Sequence, residues 1–467
     1  MKSKSLSRRQ FVKTVGATAL AATFPGMLDS CGKQEKKPNI IFLLTDDQRW
    51  DALGCMGNPI IQTPNIDRMA SEGVLFSNAF VTTSICCTSR ASIFLGQYAR
   101  RHGIHDFKTD FTPGQLAHTY DMLLKKAGYR VGFIGKYGVG RNLPADKYDY
   151  WRGIPGQPIY ENIDKNGNYK HLTRIMGEQA IEFLEGCSNE QPFCLSISFK
   201  APHVQDNDPR QFIYDPAYQH LYQDVKIPTP KTASDQYFYA FPDFFTRDNE
   251  GRRRWQIRFS TPEKYQEMVK GYYRLITGVD AVVGKIRENL ERLGLAKNTV
   301  IIYSSDNGFF LGEHGLAGKW YGYEPSIRVP LIIFDPRLPQ NSQGQVREEM
   351  VLNIDIAPTI LDIVGIEIPQ AVQGKSMLPL VQGKKIPWRQ EFFYEHLFEH
   401  DKIPKSEGVI TKRYKYLRYI ETQPVYEELF DLQEDPHEIR NLAKDKNYQT
   451  LLNKLRQKCD EMAKNLI

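Results

Sequence analysis

The 467-residue sequence lacks long apolar runs, a large charge excess and a dense set of cysteines. After the first 30 residues, no segment has about 18 or more consecutive apolar residues, so no membrane-spanning helix is expected there. The formal net charge is +6, but the first 30 residues hold an excess of four basic residues, and removing that excess leaves about +2. This balance excludes a nucleic-acid partner. The composition, with 25% charged and 41% hydrophobic residues, is typical of a globular protein.

Cysteines are few for a chain of this length. If Cys31 is acylated and a second cysteine is consumed chemically, an odd number remains, which argues against a full disulfide framework. The seven cysteines are Cys31, Cys55, Cys86, Cys87, Cys187, Cys194 and Cys459.

The N-terminal 31 residues have the pattern of an export signal. Ser7-Arg8-Arg9-Gln10-Phe11-Val12-Lys13 matches the twin-arginine pattern, and residues 15–27 form a weakly apolar stretch too short to span a bilayer. Leu28-Asp29-Ser30-Cys31-Gly32 is similar to a lipobox, although Asp29 is unusual there. We therefore expect an exported protein, either free in the periplasm or anchored to the cell envelope by a lipid on Cys31. The alternative is the basic tail of a cytoplasmic protein.

The central part of the chain alternates strand-like and helix-like patterns. Continuous apolar runs, typical of strands buried on both faces, occur at 39–44, 128–135, 193–199, 299–304 and 329–334. Helical patterns lie between them, at 118–127, at 172–184, at 261–293 and from Thr63-Pro64 onward. This alternation predicts an α/β fold with a large, mostly parallel, doubly wound sheet flanked by helices, over residues 37–385.

The pattern changes near Pro387. Short strands at 391–396, 408–419 and 426–432, followed by a helix at 448–465, predict a smaller C-terminal α+β subdomain with an antiparallel sheet at 386–467. Residues 206–259 form an aromatic- and arginine-rich insertion without clear periodicity, which is either functional or mobile.

Two pairs of polar side chains follow two of the predicted strands. Asp46 and Asp47 come after the first strand, and Asp306 and Asn307 come after the strand at 299–304. Ligands of open α/β sheets bind beyond the carboxyl ends of the strands, and hard oxygen ligands suit Ca²⁺ or Mg²⁺. Two such pairs favour a metal site, although a single Asp after a strand more often caps a loop.

A segment between these pairs, Cys86-Cys87-Thr88-Ser89-Arg90, lies at a predicted helix start. Helix N-termini favour anions, and the guanidinium of Arg90 matches sulfate or phosphate oxygens. The alternative is that both cysteines are small core residues.

Cys86-x-Thr88-Ser89-Arg90 resembles the maturation motif of the formylglycine-dependent sulfatases, arylsulfatase-like members of the alkaline phosphatase superfamily. That family more often has Pro or Ala at the Thr88 position. Its other motifs resemble segments that follow in the same order: Gly128-Tyr-Arg-Val-Gly-Phe-Ile-Gly-Lys136, Lys200-Ala-Pro-His203, Ser305-Asp-Asn-Gly continuing to Lys319, and Tyr323-Glu-Pro-Ser-Ile-Arg-Val-Pro330. The sequence is thus identified as an exported bacterial carbohydrate sulfatase.

The resemblance implies roles for these residues. A maturation enzyme would oxidise Cys86 to formylglycine, whose hydrate attacks sulfur and later re-forms the aldehyde as sulfate leaves. His203 would protonate the leaving alcohol of a sulfated saccharide. One Ca²⁺, with Mg²⁺ as the second choice, and three basic side chains would neutralise the sulfate oxygens. The implied calcium ligands are Asp46, Asp47, Asp306, Asn307 and residue 86, and the implied cations are Arg90, Lys136 and Lys319.

One departure from the family pattern concerns position 138. The family commonly has a histidine two residues after the lysine, where this chain has Gly138. We hypothesise that His102, His105 or His314 replaces it.

Several side chains are candidates for contacts to a sugar. His105, His314 and Arg418 are the first three, and Glu395 and His396 would also suit one. So would the aromatic and basic residues that precede Trp255, which are Tyr237, Phe238, Tyr239, Arg252, Arg253 and Arg254. Two alternative functions remain open: a phosphodiesterase or phosphonate hydrolase of the same superfamily, and a sulfated-glycan-binding protein that has lost turnover.

Overall fold

A computed structural model describes residues 36–466. The expected export signal at 1–31, including Cys31, lies outside the described residues. No helix in the described part of the chain is long and apolar enough to cross a membrane. The six cysteines of this part are all free thiols.

Nineteen strands form in the described residues. In chain order they are β1 Asn39–Asp46, β2 Val74–Phe76, β3 Ala79–Phe80, β4 Arg130–Lys136, β5 Tyr150–Ile154, β6 Glu161–Ile163, β7 Tyr169–His171, β8 Phe193–Pro202, β9 Thr299–Ser305, β10 Phe310–Leu311, β11 Ala317–Gly318, β12 Arg328–Val329, β13 Leu331–Phe334, β14 Gln345–Arg347, β15 Val351–Leu352, β16 Glu391–His396, β17 Ser406–Thr411, β18 Tyr414–Tyr419 and β19 Tyr426–Asp431.

Fourteen α-helices form in the same part of the chain. They are α1 Pro64–Glu72, α2 Cys86–Leu95, α3 Ala99–His102, α4 Pro113–Ala117, α5 Tyr120–Lys126, α6 Leu172–Glu185, α7 Asp235–Phe238, α8 Asp243–Thr246, α9 Glu250–Arg258, α10 Pro262–Arg292, α11 Glu324–Ile327, α12 Ile356–Ile363, α13 Leu378–Val381 and α14 Gln449–Asn465.

The main sheet has eight strands in the order β14-β2-β13-β9-β1-β8-β4-β5. The five strands from β9 to β5 are parallel to one another, and β13 runs antiparallel to both of its neighbours. All eight residues of β1 are buried, as the apolar run predicts for a central strand covered on both faces. The predicted mostly parallel α/β sheet is therefore confirmed.

Helices cover both faces of this sheet, and the sheet separates two hydrophobic clusters. The 31-residue helix α10 packs on α6 and β8. It begins where Pro262 occupies the first turn and the side chain of Thr261 accepts a hydrogen bond from the Lys264 amide, so cap chemistry sets its start. On the other face, α2, α5 and α12 contact one another. Because β1, β4, β8 and β9 are parallel, their carboxyl ends meet at one edge of the sheet.

The C-terminal sheet is antiparallel, in the order β16-β17-β18-β19, and α14 packs on it. The prediction of a single strand at 408–419 is wrong, because this part of the chain forms a hairpin of β17 and β18. The Thr411 side chain accepts hydrogen bonds from the amides of Arg413 and Tyr414 and closes the turn without glycine or proline. The insertion at 206–259 is not structureless, since it contains α7, α8 and α9. The chain from Lys37 onward forms one compact unit.

Strand β19 of the C-terminal sheet carries a buried carboxyl. Glu428 is 1% exposed and accepts hydrogen bonds from the hydroxyls of Tyr323 at 2.9 Å and Tyr419 at 3.4 Å. Burial raises the pKa of Glu428 to about 8, although the Tyr323 hydrogen bond opposes the shift. The adjacent Glu427 instead pairs with Arg456 at 2.6 Å, and its pKa is lowered.

We expect Glu428→Gln to raise the free energy of unfolding by about 1–3 kcal/mol near pH 8.5 and to have little effect near pH 5. The folded state holds a proton that the unfolded chain releases above the ordinary value of 4.5, so the wild type loses stability as the pH rises from there to about 8. Urea unfolding at both pH values measures this. Glu427→Gln is the control, and its free energy of unfolding near pH 8.5 should not exceed that of the wild type. An unchanged pH dependence in Glu428→Gln would contradict the prediction.

Candidate active site

Asp46, the last residue of β1, is the centre of a buried charge cluster. It is 0% exposed, and its Oδ2 accepts from Lys136 Nζ at 2.5 Å and from Arg90 Nη2 at 3.3 Å. Lys319 Nζ lies 3.8 Å from Oδ1. Burial acts to raise the pKa of Asp46, but these cations and His203 outweigh burial and hold that pKa well below its ordinary value. Asp46 is therefore ionised.

Asp47 and Asn307 form the adjoining part of the cluster. Asp47 has a left-handed backbone (φ 66°). Its Oδ1 accepts from Lys319 Nζ at 2.5 Å and from Asn307 Nδ2 at 2.6 Å. The hydroxyl of Tyr272 donates to the Asp47 carbonyl at 2.8 Å, which holds this turn in place. The strand-end pairs of β1 and β9 thus meet, as the sequence predicted.

Arg90 is 1% exposed and joins the two strand ends. Its Nε donates to Asp306 Oδ2 at 2.8 Å, and its Nη1 donates to the Lys136 carbonyl at 2.6 Å and to the Ser198 hydroxyl. Burial raises the pKa of Asp306, with Asp46 adding to the shift and Arg90 opposing it. The cluster holds three acids, Asp46, Asp47 and Asp306, and three cations, Arg90, Lys136 and Lys319, so its formal charges balance.

Cys86 is the first residue of α2 and is 1% exposed. Its Sγ and carboxylate oxygens of Asp46 and Asp306 all lie within 4.8 Å of one another. Every residue of α2 is buried, so the helix has a fixed position and presents its N-terminus to the cluster. Cys87 is 0% exposed and belongs to the hydrophobic core. The two neighbouring cysteines therefore have different surroundings.

His203 follows β8 and is 4% exposed. Its Nδ1 lies 2.7 Å from the Val204 carbonyl, which can only accept, so Nδ1 carries a proton. Its Nε2 lies 3.5 Å from Asp47 Oδ2 and 3.3 Å from Gln157 Nε2. Burial lowers the pKa of His203 to about 3 although Asp46 opposes the shift. Nε2 is thus the nitrogen that can exchange a proton at the cluster.

The cluster fits a hard cation. Asp46 Oδ1 and Asn307 Oδ1 are buried acceptors that receive no hydrogen bond from the described residues. Asp46 and Asp306 offer further oxygens close to residue 86. Carboxylate and amide oxygens are ligands of Ca²⁺ and Mg²⁺.

A cavity of about 410 Å³ opens onto Cys86, Lys136, His203 and Lys319. Most of the remaining lining could not be recognised in the sequence, because these residues lie in irregular segments or far apart in the chain. They are Ile85, Phe107, Gly138, Gly140, Gly156, Gln157, Asp206, Glu250, Arg254, Trp320, Phe398, His400 and Ile403. Only Arg254 was among the named candidates for sugar contacts.

Gly138 lies against Arg90. With φ +78°, it has a backbone conformation that disfavours a side chain, and a Cβ there would lie 2.5 Å from Arg90 Cδ. This chain therefore has no room for a histidine at position 138 unless Arg90 moves.

None of the three histidines suggested as its replacement lines the cavity. His102 uses both ring nitrogens, contacting the Ser92 hydroxyl and the Ile104 amide at 3.0 Å each. His314 packs on Tyr323, and His105 is half-buried near Arg100.

Apart from Arg254, the other residues expected to contact a sugar do not line this cavity either. Arg418 forms ion pairs with Glu407 and Asp460, so its charge is used within the C-terminal region. Glu395 pairs with Arg100, and His396 is 0% exposed. The histidines that do line the cavity are His203 and His400.

Comparison with known proteins identifies the family. The profile of the sulfatase family matches residues 38–366, and that of the N-sulphoglucosamine sulphohydrolase C-terminal region matches residues 312–465. An N-acetylglucosamine-6-O-sulfatase from Bacteroides thetaiotaomicron is 29% identical over 92% of this chain and 87% of its own length. An arylsulfatase from Clostridium perfringens is 30% identical over 90% of this chain and 93% of its own.

Solved structures share the fold. One, in complex with its substrate D-glucosamine-2-N,6-O-disulfate, has a TM-score of 0.80 and 27% identity and covers 92% of this chain and 98% of its own. A phosphonate monoester hydrolase from Agrobacterium radiobacter has a TM-score of 0.74 at 20% identity, covering 92% of this chain and 96% of its own, and supports the fold alone. The chain belongs to the sulfatase family and is an enzyme that hydrolyses sulfate esters.

Proposed function

We propose that this sulfatase removes the 6-O-sulfate of a glucosamine-type sugar, using formylglycine at position 86 and one calcium ion. The observation that carries the proposal is the position of Cys86 at the floor of a cavity beside Lys136, His203 and Lys319. The relative and the substrate complex named above, both concerned with 6-sulfated glucosamine derivatives, support this sugar class.

The side chains of the cluster would bind and orient the sulfate. Lys136 and Lys319 line the cavity, and their ammonium groups can face the sulfate oxygens. Arg90 is enclosed by Asp306, Ser198 and the Lys136 carbonyl, so it would fix the two strand ends and add positive potential from behind. Formylglycine, as its hydrate, supplies a hydroxyl nucleophile and a second hydroxyl that allows the aldehyde to re-form.

Calcium fits Asp46, Asp47, Asp306 and Asn307, and when bound it supplies charge that polarises the sulfate group. Without the ion, the acids and cations of the cluster balance, so a cation adds net positive charge where an anionic ester must bind. This favours an anionic substrate over a neutral one.

His203 would deliver the proton to the leaving alcohol through Nε2. Its hydrogen bond to the Val204 carbonyl fixes the ring, and Gln157 contacts the reactive nitrogen. A bound sulfate ester places a negative charge near the imidazole and so raises its pKa from the low value of the free site.

Sulfate release from a panel of defined sulfated saccharides tests the proposed substrate. We expect 6-sulfated N-acetylglucosamine or glucosamine to be the best substrate, and no release from either would refute the sugar assignment. Parallel rates on a nitrophenyl sulfate and a nitrophenyl phosphate diester test the chemistry. A faster phosphate diester would favour the phosphodiesterase alternative, and no turnover of any ester would favour the glycan-binding alternative.

We expect removal of divalent metal with a chelator to lower activity at least about 100-fold and to lower the melting temperature by several degrees. Ca²⁺ should restore both, and Mg²⁺ should restore less because it requires a tighter octahedral geometry. Thermal unfolding with and without Ca²⁺ measures the second effect independently of turnover. In Asp306→Asn, Ca²⁺ should no longer raise the melting temperature. A wild-type melting temperature that is insensitive to Ca²⁺ would contradict the assignment.

We also propose that residues 1–31 direct export, on the basis of the twin-arginine pattern. Replacing Arg8 and Arg9 with lysine should retain the protein in the cytoplasm, as measured by cell fractionation. Membrane association lost in Cys31→Ala would support the lipid anchor, and an unchanged distribution of both variants would refute the export assignment.

A further inference from the structure

One wall of the active-site cavity contains an arginine–carboxylate pair that the proposed catalytic chemistry does not use. Asp206 and Arg254 both line the cavity, three residues after His203 and within α9 respectively. Arg254 Nη1 donates to Asp206 Oδ1 at 3.1 Å. The Asp206 side chain is 41% exposed and that of Arg254 is 20% exposed, so both are accessible from the cavity.

This pair is held rigidly from behind. Arg258, one helical turn after Arg254, is 1% exposed and donates to the same Asp206 oxygen at 3.1 Å. Its Nε donates to Gln211 Oε1 at 2.8 Å. Glu250, at the start of α9, accepts from Arg254 Nε at 2.7 Å. The guanidinium carbon of Arg254 lies 5.0 Å from the centre of the Trp320 ring, which is 4% exposed.

Two polar atoms of the pair remain available. Both arginines bind Oδ1 of Asp206, and no described residue donates to Oδ2. The Nε and Nη1 atoms of Arg254 have acceptors, whereas Nη2 donates to none of the described residues. The wall therefore offers an ionised acceptor and a charged donor side by side. A hydroxyl group matches such a pair, because it donates one hydrogen bond and accepts another.

We propose that Asp206 and Arg254 are specificity-determining residues that bind one free hydroxyl of the sulfated sugar ring, with Asp206 Oδ2 accepting from the hydroxyl and Arg254 donating to it. The inference rests on the proposed sugar sulfatase function and deepens it. The sulfate-binding cluster suits any sulfate ester. Hydrogen bonds to a sugar hydroxyl would let the enzyme distinguish a sugar sulfate from a simple aryl sulfate. Phe107 and Phe398 also line the cavity, with ring centres 5.6 Å apart in edge contact, and offer an apolar surface for the carbon skeleton of the sugar.

The test measures selectivity rather than total activity. Wild type, Asp206→Asn and Arg254→Met are assayed on N-acetylglucosamine 6-sulfate, on its 3-deoxy and 4-deoxy analogues and on 4-nitrophenyl sulfate. A hydrogen bond to a charged group contributes about 10- to 100-fold. We expect the ratio of kcat/KM for the sugar to that for the aryl sulfate to fall by about that factor in both variants. We also expect the wild type to discriminate against one deoxy analogue and the variants to lose that discrimination.

Arg253→Met is the matched control. Arg253 also pairs with Glu250, at 2.6 Å, but its side chain is 52% exposed and does not line the cavity. In this variant, the ratio of kcat/KM for the sugar to that for the aryl sulfate should therefore equal the wild-type ratio. If Asp206→Asn loses activity on every substrate by one common factor, or still discriminates against the deoxy analogue, the pair is structural and the inference is wrong. If the wild type hydrolyses the aryl sulfate but no sulfated sugar, the proposed function fails instead.

Discussion

Cys86→Ala is expected to lower kcat/KM for sulfate release by at least about 10⁴-fold, since removal of a catalytic nucleophile typically has an effect of that size. The substitution leaves Arg90, Lys136 and Lys319 in place, so the sulfate-binding charges persist while the nucleophile is lost. Binding of the sulfated sugar, measured by calorimetry, should therefore survive in this variant. The loss is expected in kcat rather than in substrate affinity.

The neighbouring cysteine supplies the control. Cys87 packs in the hydrophobic core at 0% exposure, and Cys87→Ala should change activity only a few-fold. In the wild type, the peptide containing residue 86 should be about 18 Da lighter than its unmodified mass, as conversion of cysteine to formylglycine requires. Fully active protein that keeps an ordinary thiol at position 86 would exclude the proposed nucleophile.

Asp46→Asn is expected to lower activity at least about 10³-fold and to lower the free energy of unfolding by about 3–5 kcal/mol. Asp46 is fully buried, and three cations lie within 3.8 Å of its carboxylate. Removing its charge leaves Lys136 without its acidic partner and the cluster with one excess positive charge, since Arg90 still pairs with Asp306 and Lys319 with Asp47. In a low-dielectric interior, breaking a buried pair costs far more than breaking a surface pair. The same change removes one of the proposed calcium ligands. Urea unfolding and sulfate-release assays measure the two effects.

Asp51→Asn is the control for this prediction. Asp51 lies on the same connection after β1 and accepts from Arg49 at 2.9 Å, but its side chain is 36% exposed. Asp51→Asn should lower the free energy of unfolding by less than about 1 kcal/mol and leave activity near that of the wild type. A stability loss in Asp46→Asn no greater than that in Asp51→Asn would show that the cluster is not held by charge pairing at Asp46.

The meeting of Asp46 and Asp47 with Asp306 and Asn307 could be anticipated because each pair lies at the end of a buried strand. The apolar run of β1 indicated a central strand, and parallel strands bring their carboxyl ends to one edge. This placed Asp46 near Asp306 although 259 residues separate them. The same reasoning could not reveal that Arg90 fills the space beside Gly138, because the collision depends on the side-chain path of a residue 48 positions earlier.

The histidine that would replace the one missing at position 138 could not be identified from the sequence. Proximity in sequence to a motif does not indicate proximity in space, and His102, His105 and His314 have partners or positions away from the cavity. His400 reaches the cavity from the C-terminal region, more than 300 residues after Cys86. No local pattern marks such a residue.

The sequence by itself determined the family, the alternating α/β architecture and the residues that form the buried charge cluster, because each of these depends on local patterns: apolar runs, helix starts and motifs at strand ends. The tertiary structure alone decided how the rest of the cavity is built. Asp206, Arg254 and Trp320 come from a turn, a short helix and an irregular segment, none of which has a periodic signal. Their mutual contacts depend on the packing of segments far apart in the chain, and this packing sets which polar atoms remain free at the cavity wall.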